Sequence, residues 1–472
     1  MRVLKNAWQW FDDRTGISGS IGPIARHPVP PGTGWWYVFG SATLIAFTIQ
    51  VVTGIALSLM YVPSSSQAHD SLLFITNEAF LGRFLRGMHH FGASAMMLLV
   101  GIHMIRVFLM GAYKYPREMS WISGVALFAF TIIMAFTGQL LRWDQNAIWS
   151  TIVAAEQAGR VPIIGEWIAR FILAGGTIGA VTLSRFFAFH VFFIPALIYA
   201  FIGLHLYLVL RNGISDPPKP GQPVEPGTYR NWYHSLIKNR GVPFWPDAAW
   251  RDVVFGVVVI AVIALLAIFV GPPEIGKPPD PSIIEAYPRP DWYFLWIFAL
   301  FALLPANIES YVIFLGPLIV GLILILLPFI WNKGERSPRR RPWAVGIVLV
   351  IVIMVGTLWI EGIRAPWSPD FSAQPLPVEV VGATSGPVHE GAELFYSKGC
   401  EFCHAISGHG GHRGPDLTYI GDSLSPDEMT WRILNGGLNM PAFGGNLTPE
   451  ELDSLVAFLQ SRRVRTGAKV VD

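Results

Sequence analysis

Seven apolar stretches in this chain are long enough to cross a bilayer core of roughly 30 Å, and they limit what the rest of it can be. They run over about Trp35–Met60, Gly87–Met110, Trp121–Leu141, Phe186–Leu210, Val253–Gly271, Ser310–Trp331 and Pro342–Ile360. A shorter apolar piece, "WYFLWIFALFALLP", lies between the fifth and sixth; it is interrupted early, ends in proline, and reads as a surface or re-entrant segment. Composition agrees with a membrane protein: 52% of residues are apolar and 14% charged, well off the soluble average. The net charge of +2 gives no reason to expect a nucleic-acid partner.

Charge in the loops suggests an orientation. Lys5 and Arg14, then Lys114 and Arg117, then Arg211, Lys219, Arg230, Lys238, Arg240 and Arg251, then Lys333 to Arg341 all fall on one side. The intervening loops, such as "HDSLLFITNE" and "PPEIGKPPD", are mixed or acidic. The positive-inside rule therefore predicts a cytoplasmic N-terminus, and seven crossings put the tail outside. The opening "MRVLKNAWQWFDDRTG" lacks a signal-peptide core, so insertion is expected to rely on the later spans.

Two histidines lie in the second stretch and two in the fourth. His89 and His103 are fourteen apart, His190 and His205 fifteen. At about 100° per residue, fourteen steps fall about 40° short of four turns and fifteen overshoot by about 60°. Each pair thus shares roughly one helix face, separated by about 21 Å of rise. Even-numbered spans run in the same direction, so His89 is level with His190 and His103 with His205. Two six-coordinate haems stacked across a membrane need that arrangement. A single intramembrane histidine can be a hydrogen-bonded core residue; four at matched depths are hard to explain so. His90 competes with His89, and the fourteen-residue spacing favours His89.

Glycines repeat the same interval. Gly40 and Gly54 in the first stretch, and Gly124 and Gly138 in the third, are each fourteen apart. Glycine in a membrane helix usually marks helix packing, but a residue without a side chain also lets a flat macrocycle approach the backbone.

The chain's two cysteines, Cys400 and Cys403, precede His404 in "KGCEFCHAIS". Cys-x-x-Cys-His is the attachment pattern of a c-type haem, with two thiols for linkage and a histidine for iron. Two cysteines cannot build a disulfide framework or an iron–sulfur cluster. Proline-rich connectors, "SDPPKPGQPVEPGTYRNW" and "RAPWSPDFSAQPLPVEVVG", follow the fourth and seventh stretches and read as extended linkers. The tail is thus expected to be an external electron carrier tethered to a membrane protein.

On these residues the sequence resembles the cytochrome b/b6 family of quinol–cytochrome c reductases in its divided form. Residues 1–215 look like the four-helix cytochrome b with two b haems; the fifteen-residue histidine gap is like that of chloroplast and Gram-positive versions. After a cytoplasmic connector, 216–250, residues 251–361 look like the three-helix subunit IV. A linker, 362–386, leads to a class I cytochrome c domain at 387–472. The resemblance implies an all-α fold: a seven-helix transmembrane bundle holding two haem b, followed by a small all-α domain with one covalent haem c. It implies a multi-pass protein of a bacterial plasma membrane, in a homodimeric complex.

Site residues follow from the same resemblance. Pro290, Asp291, Trp292 and Tyr293 match the family's Pro-Glu-Trp-Tyr signature at the outer quinol-oxidation site. Oxidising a quinol releases two protons, and Asp291 can accept one. Aspartate in place of glutamate resembles the menaquinol-using members. In "WWYVFGS", Val38 stands where chloroplast-like members carry a cysteine for an extra haem. The inner quinone site is assigned loosely to Arg211 and the haem edge at His205. In the tail, Cys400 and Cys403 would form the thioethers, His404 the proximal ligand and Met440 the sixth, whereas Met429 reads as core.

The family's cycle is a bifurcated quinol oxidation. One electron passes to a Rieske cluster and the c haem, the other through the two b haems to quinone inside, and protons are translocated. A Rieske centre needs two cysteines and two histidines, so it must come from a separate subunit, with a further electron acceptor beyond. A di-haem anchor serving another oxidoreductase, or a transporter or scaffold carrying a haem sensor, are the competing readings; resistance to outer-site inhibitors would favour them.

Overall fold

The computed structural model describes residues 2–279, 289–365, 368–436, 440, 443–444 and 446–464. Among these residues, seven helices are long and apolar enough to cross a membrane: Phe39–Ser58, Gly82–Leu109, Glu118–Leu140, Ala180–Asn212, Phe244–Phe269, Ile308–Ile330 and Pro342–Arg364. They are called the first to seventh spans below. Each contains one of the seven expected stretches or most of it. The second begins earlier than its apolar run because Arg83 and Arg86 interrupt the hydrophobicity without interrupting the helix. The short apolar helix Trp292–Leu303 is about 18 Å long at 1.5 Å per residue, too short to cross, and it stops at the extended Leu304 before Pro305.

The fourth span is not a regular helix. A π-turn occupies Phe189–Phe193, between the α-helical Ala180–Ala188 and Ile194–Asn212. Pro195 lies two residues beyond its end; it has no N–H for the carbonyl four residues back, and its ring crowds that carbonyl. The wide turn takes up one extra residue. A fifteen-residue gap therefore brings His190 and His205 onto one face as a fourteen-residue gap would in a regular helix.

The chain divides into two compact units, one up to Leu358 and one from Trp359 on. In the first, spans one, two, four and five share a core of Ala42, Ala46, Phe47, Met88, Met96, Leu99, Ile194, Ile198, Val259, Ile263 and Ala267. Side chains on the sixth and seventh spans are mostly exposed and apolar, as lipid-facing helices require. At the basic end, polar ties replace apolar ones. Arg336 donates to Asp216 at 2.6 Å, both buried; Arg117 donates to the Gly213 carbonyl at 2.8 Å; Lys114 donates to the Trp331 carbonyl at 2.8 Å.

The second unit is a small helical domain. Helices Pro387–Ser397, Pro426–Asn435 and Pro449–Gln460 surround a core of Phe395, Ile406, Met429, Ile433, Leu455, Phe458 and Leu459. Two of them start with capping boxes, Ser425 with Glu428 and Thr448 with Glu451, each closing both ways between side chain and backbone.

Candidate functional site

The four spaced histidines come together in two pairs. The rings of His89 and His190 have centroids 6.2 Å apart at 73°. That separation leaves room for one metal ion held by bonds of roughly 2 Å. His103 and His205 lie within electrostatic range of one another. Each of the four glycines faces one of these rings. A Cβ added at Gly54 would sit 3.3 Å from His89 Cε1, at Gly40 3.1 Å from His103 Cε1, at Gly124 3.5 Å from His205 Cε1, and at Gly138 2.6 Å from His190 Cε1. The glycine repeat and the histidine repeat are one device: each glycine makes room for an imidazole. Among the described residues, no glycine addresses His90, which lines the cavity beside His89.

Hydroxyl groups orient three of the rings. His89 Nδ1 is 2.9 Å from Thr53 Oγ1, His190 Nδ1 3.1 Å from Thr137 Oγ1, and His205 Nδ1 2.9 Å from Ser123 Oγ. His190 Nδ1 is also 3.0 Å from the Met134 carbonyl, which can only accept. With Nδ1 protonated, Nε2 carries the lone pair that binds iron. The donor set therefore fits bis-histidine haem iron.

A cavity of about 400 Å³ surrounds His89 and His190, and Asp291, Tyr293, Arg86 and Gln139 also line it. Tyr293 donates its O–H to Asp291 Oδ2 at 2.8 Å. Burial, then the charge of Asp291 and this bond, push the Tyr293 phenol well above its usual range, so it stays a neutral donor. Trp292 Nε1 donates to Ser94 Oγ at 3.1 Å, pinning the segment to the second span one turn from His90. Pro290 begins this run, and the preceding Tyr287 and Pro288 lie outside the described residues. Arg211 is exposed and donates to Tyr207 on its own helix at 2.9 Å.

Two arginines were not anticipated. Arg86 precedes His89 by three residues and Arg106 follows His103 by three; both are 8% exposed. Arg86 donates to the Pro273 carbonyl at 2.7 Å and to Thr76 at 3.1 Å. Arg106 lies over the Tyr37 ring, 3.7 Å from its centroid, and its buried Nε and Nη2 have no protein partner. Buried cations with spare donors suit carboxylates, the groups a haem carries at its edge. The pattern Arg-x-x-His…His-x-x-Arg was the available signal. Val38, the residue just before the first span, is buried at 2% exposure.

In the second unit His404 Nδ1 donates to the Pro415 carbonyl at 2.8 Å, again leaving Nε2 for iron. Cys400 and Cys403 are half-buried and not joined to each other. Met440 packs at the edge of the domain core, while its neighbours 437–439 and 441–442 lie outside the described residues. Met429 is core, 2% exposed, with Gln460 Nε2 donating to its sulfur at 3.4 Å. Glu401, inside the Cys-x-x-Cys loop, is fully buried and neither carboxylate oxygen has a partner. Desolvation pushes its carboxyl up to about 7.

These features define a haem-binding redox protein of the membrane with a c-type domain attached. Residues 24–213 match the family described as Cytochrome b/b6/petB, residues 280–374 that described as Cytochrome b(C-terminal)/b6/petD, and residues 386–459 that described as Cytochrome C oxidase, cbb3-type, subunit III. The chain is 40% identical over 224 residues to the menaquinol:cytochrome c reductase cytochrome b subunit of Geobacillus thermodenitrificans, covering 46% of this chain and 100% of that one. It is 30% identical over 368 residues to cytochrome b of Allochromatium vinosum, covering 75% of this chain and 87% of the relative. A solved hyperthermophilic respiratory Complex III aligns with TM-score 0.65 and 28% identity over 84% of this chain and 96% of that one. The chain belongs to the cytochrome b/b6 family, with a cytochrome c domain at its C-terminus.

Proposed function

We propose that this chain is the cytochrome b/c subunit of a proton-translocating quinol–cytochrome c oxidoreductase, with menaquinol as substrate. Two haem b would be held by His89 with His190 and by His103 with His205, and one haem c by Cys400, Cys403, His404 and Met440. Bound there, the haems supply one-electron carriers. The observation that carries the reading is that Asp291 and Tyr293 line the same cavity as His89 and His190. A quinol oxidised there meets a proton acceptor and an electron exit together.

The residues of this chain divide the work. Asp291 accepts a quinol proton at a carboxylate oxygen, and the neutral Tyr293 hydroxyl holds that carboxylate in place. Trp292, bonded to Ser94, keeps the segment over the second span. The quinol gives up its two electrons by separate routes. One leads to a Rieske subunit and the domain of His404, then to an external acceptor; the other follows the second and fourth spans to the Arg106 end, where quinone is reduced. Arg106 would hold haem carboxylate there, and the inner quinone site is assigned to the exposed Arg211, bonded to Tyr207, and the haem edge at His205. The basic loops support a cytoplasmic N-terminus and an external cytochrome c domain in a bacterial plasma membrane. Likeness to a menaquinol:cytochrome c reductase subunit and to Complex III supports a multi-subunit assembly, which on this reading is homodimeric.

The test is a haem count with turnover. Pyridine haemochromes of the isolated polypeptide should give two b to one c, and each active preparation should show a Rieske signal by electron paramagnetic resonance. A b-to-c ratio near one, or turnover without an iron–sulfur partner, would overturn the reading.

A further inference from the structure

The hydroxyls that meet the histidines occupy a repeated place. Thr53 directly precedes Gly54, Ser123 precedes Gly124, and Thr137 precedes Gly138. In each case the hydroxyl residue and the glycine after it touch the same ring: His89, His205 and His190 respectively. Each hydroxyl proton has another destination in its own helix. Thr53 donates to the Ile49 carbonyl at 2.6 Å, Ser123 to that of Ser120 at 3.0 Å, and Thr137 to that of Met134 at 3.0 Å. A hydroxyl carries one proton. Once that proton is given to a carbonyl, the oxygen can only accept, so the bond runs from Nδ1–H of the histidine to the hydroxyl.

The fourth position breaks the pattern. Gly40 faces His103 as the other glycines face their rings, but the residue before it is Phe39. That ring turns toward the fifth span, in edge contact with Phe255 at 5.6 Å. Among the described residues no hydroxyl bonds to His103. The His89/His190 pair thus has two hydroxyl-bound imidazoles, and the His103/His205 pair has one.

An imidazole that donates from Nδ1 is a more basic ligand at Nε2, and second-shell hydrogen bonds are one of the levers that tune haem iron. A stronger donor stabilises the ferric state. We propose that Thr53, Ser123 and Thr137 are positioning residues that set the reduction potentials of the two b haems. On this proposal the absence of a hydroxyl at Phe39 raises the His103/His205 haem above the other. The unequal count makes transfer away from the Asp291 cavity downhill. This rests on the two-haem reading above.

Redox titration of the intact complex, following the b-haem absorption bands, tests it. Thr53→Val and Thr137→Val keep shape and remove one acceptor from each ring, leaving the Gln50 and Met134 carbonyls in place; each should shift only the His89/His190 haem to more positive potential. Ser123→Ala should do the same to the other haem. Loss of a second-shell partner changes metal-site properties by about 10-fold or more, and a tenfold change in ferric-to-ferrous preference is ~59 mV for one electron. Phe39→Thr supplies the missing hydroxyl and should lower the His103/His205 potential, closing the gap between the haems. This variant keeps the test decisive if a Val variant loses haem. Unchanged midpoints in Phe39→Thr with both haems present would overturn the proposal. An unsubstituted chain that binds fewer than two b haems would refute the two-haem reading instead.

Discussion

Tyr293 donates its hydroxyl proton to Asp291 Oδ2 at 2.8 Å, so the carboxylate proposed to take a quinol proton is already held by its neighbour two residues on. Asp291→Asn keeps the size of the side chain and removes the acceptor. Both b-haem spectra and the c-haem spectrum should be retained, and quinol oxidation should fall by about 10²–10⁴-fold, the range for losing a general base. Reduction of the b haems from the opposite end should survive. Equal damage to both routes would mean misfolding, and unchanged turnover would remove Asp291 from its role.

Tyr293→Phe should have a milder effect, a loss of about tenfold in quinol oxidation, ~1.4 kcal/mol of barrier. The carboxylate remains but loses its positioning bond. An effect as large as that of Asp291→Asn would make the phenol itself the reacting group.

Replacing His103 or His205 by alanine should remove one b haem and spare the other. Spectra and haem counts check this. Loss of the haem nearer Asp291 would contradict the pairing of His89 with His190.

The buried pair Arg336–Asp216 predicts a stability effect without chemistry. Arg336→Ala leaves a buried carboxylate without its ion partner, and breaking such pairs costs about 3–5 kcal/mol. The midpoint for thermal loss of b-haem absorption should fall clearly, while haem content at low temperature stays unchanged. An unaltered midpoint would show that this end is hydrated.

Glu401 predicts a pH dependence in the cytochrome c domain. Its folded carboxyl titrates near 7, above the ordinary carboxylate range. The folded state therefore holds its proton longer than the unfolded state, and stability falls as pH rises. The contribution is fully present below the unfolded pKa of about 4.3 and lost as pH rises through about 7. Thermal unfolding of the full chain, followed at the c haem, should show a lower midpoint at pH 8 than at pH 5. Glu401→Gln should flatten that difference.

The membrane helices were legible because hydrophobicity over some twenty residues leaves little choice of structure. The histidine and glycine intervals were legible because a helix converts fourteen residues into one face. What the glycines make room for was not, since the ring that fills each space comes from another helix. Arg86 and Arg106 escaped because charge at a span's end reads first as loop or interface. Glu401 sat unnoticed inside a motif whose meaning its neighbours supplied; only burial without a partner reveals it.

The wide turn at Phe189–Phe193 makes the fourth span asymmetric in its tolerance of length. Removing one residue within 191–193 takes out the extra residue of that turn and should still present both histidines together. Removing one between 196 and 204 would swing His205 by about 100° away from its partner. Slack is therefore stored at one place, beside His190, and the remainder of that segment behaves as a ruler with no spare mark.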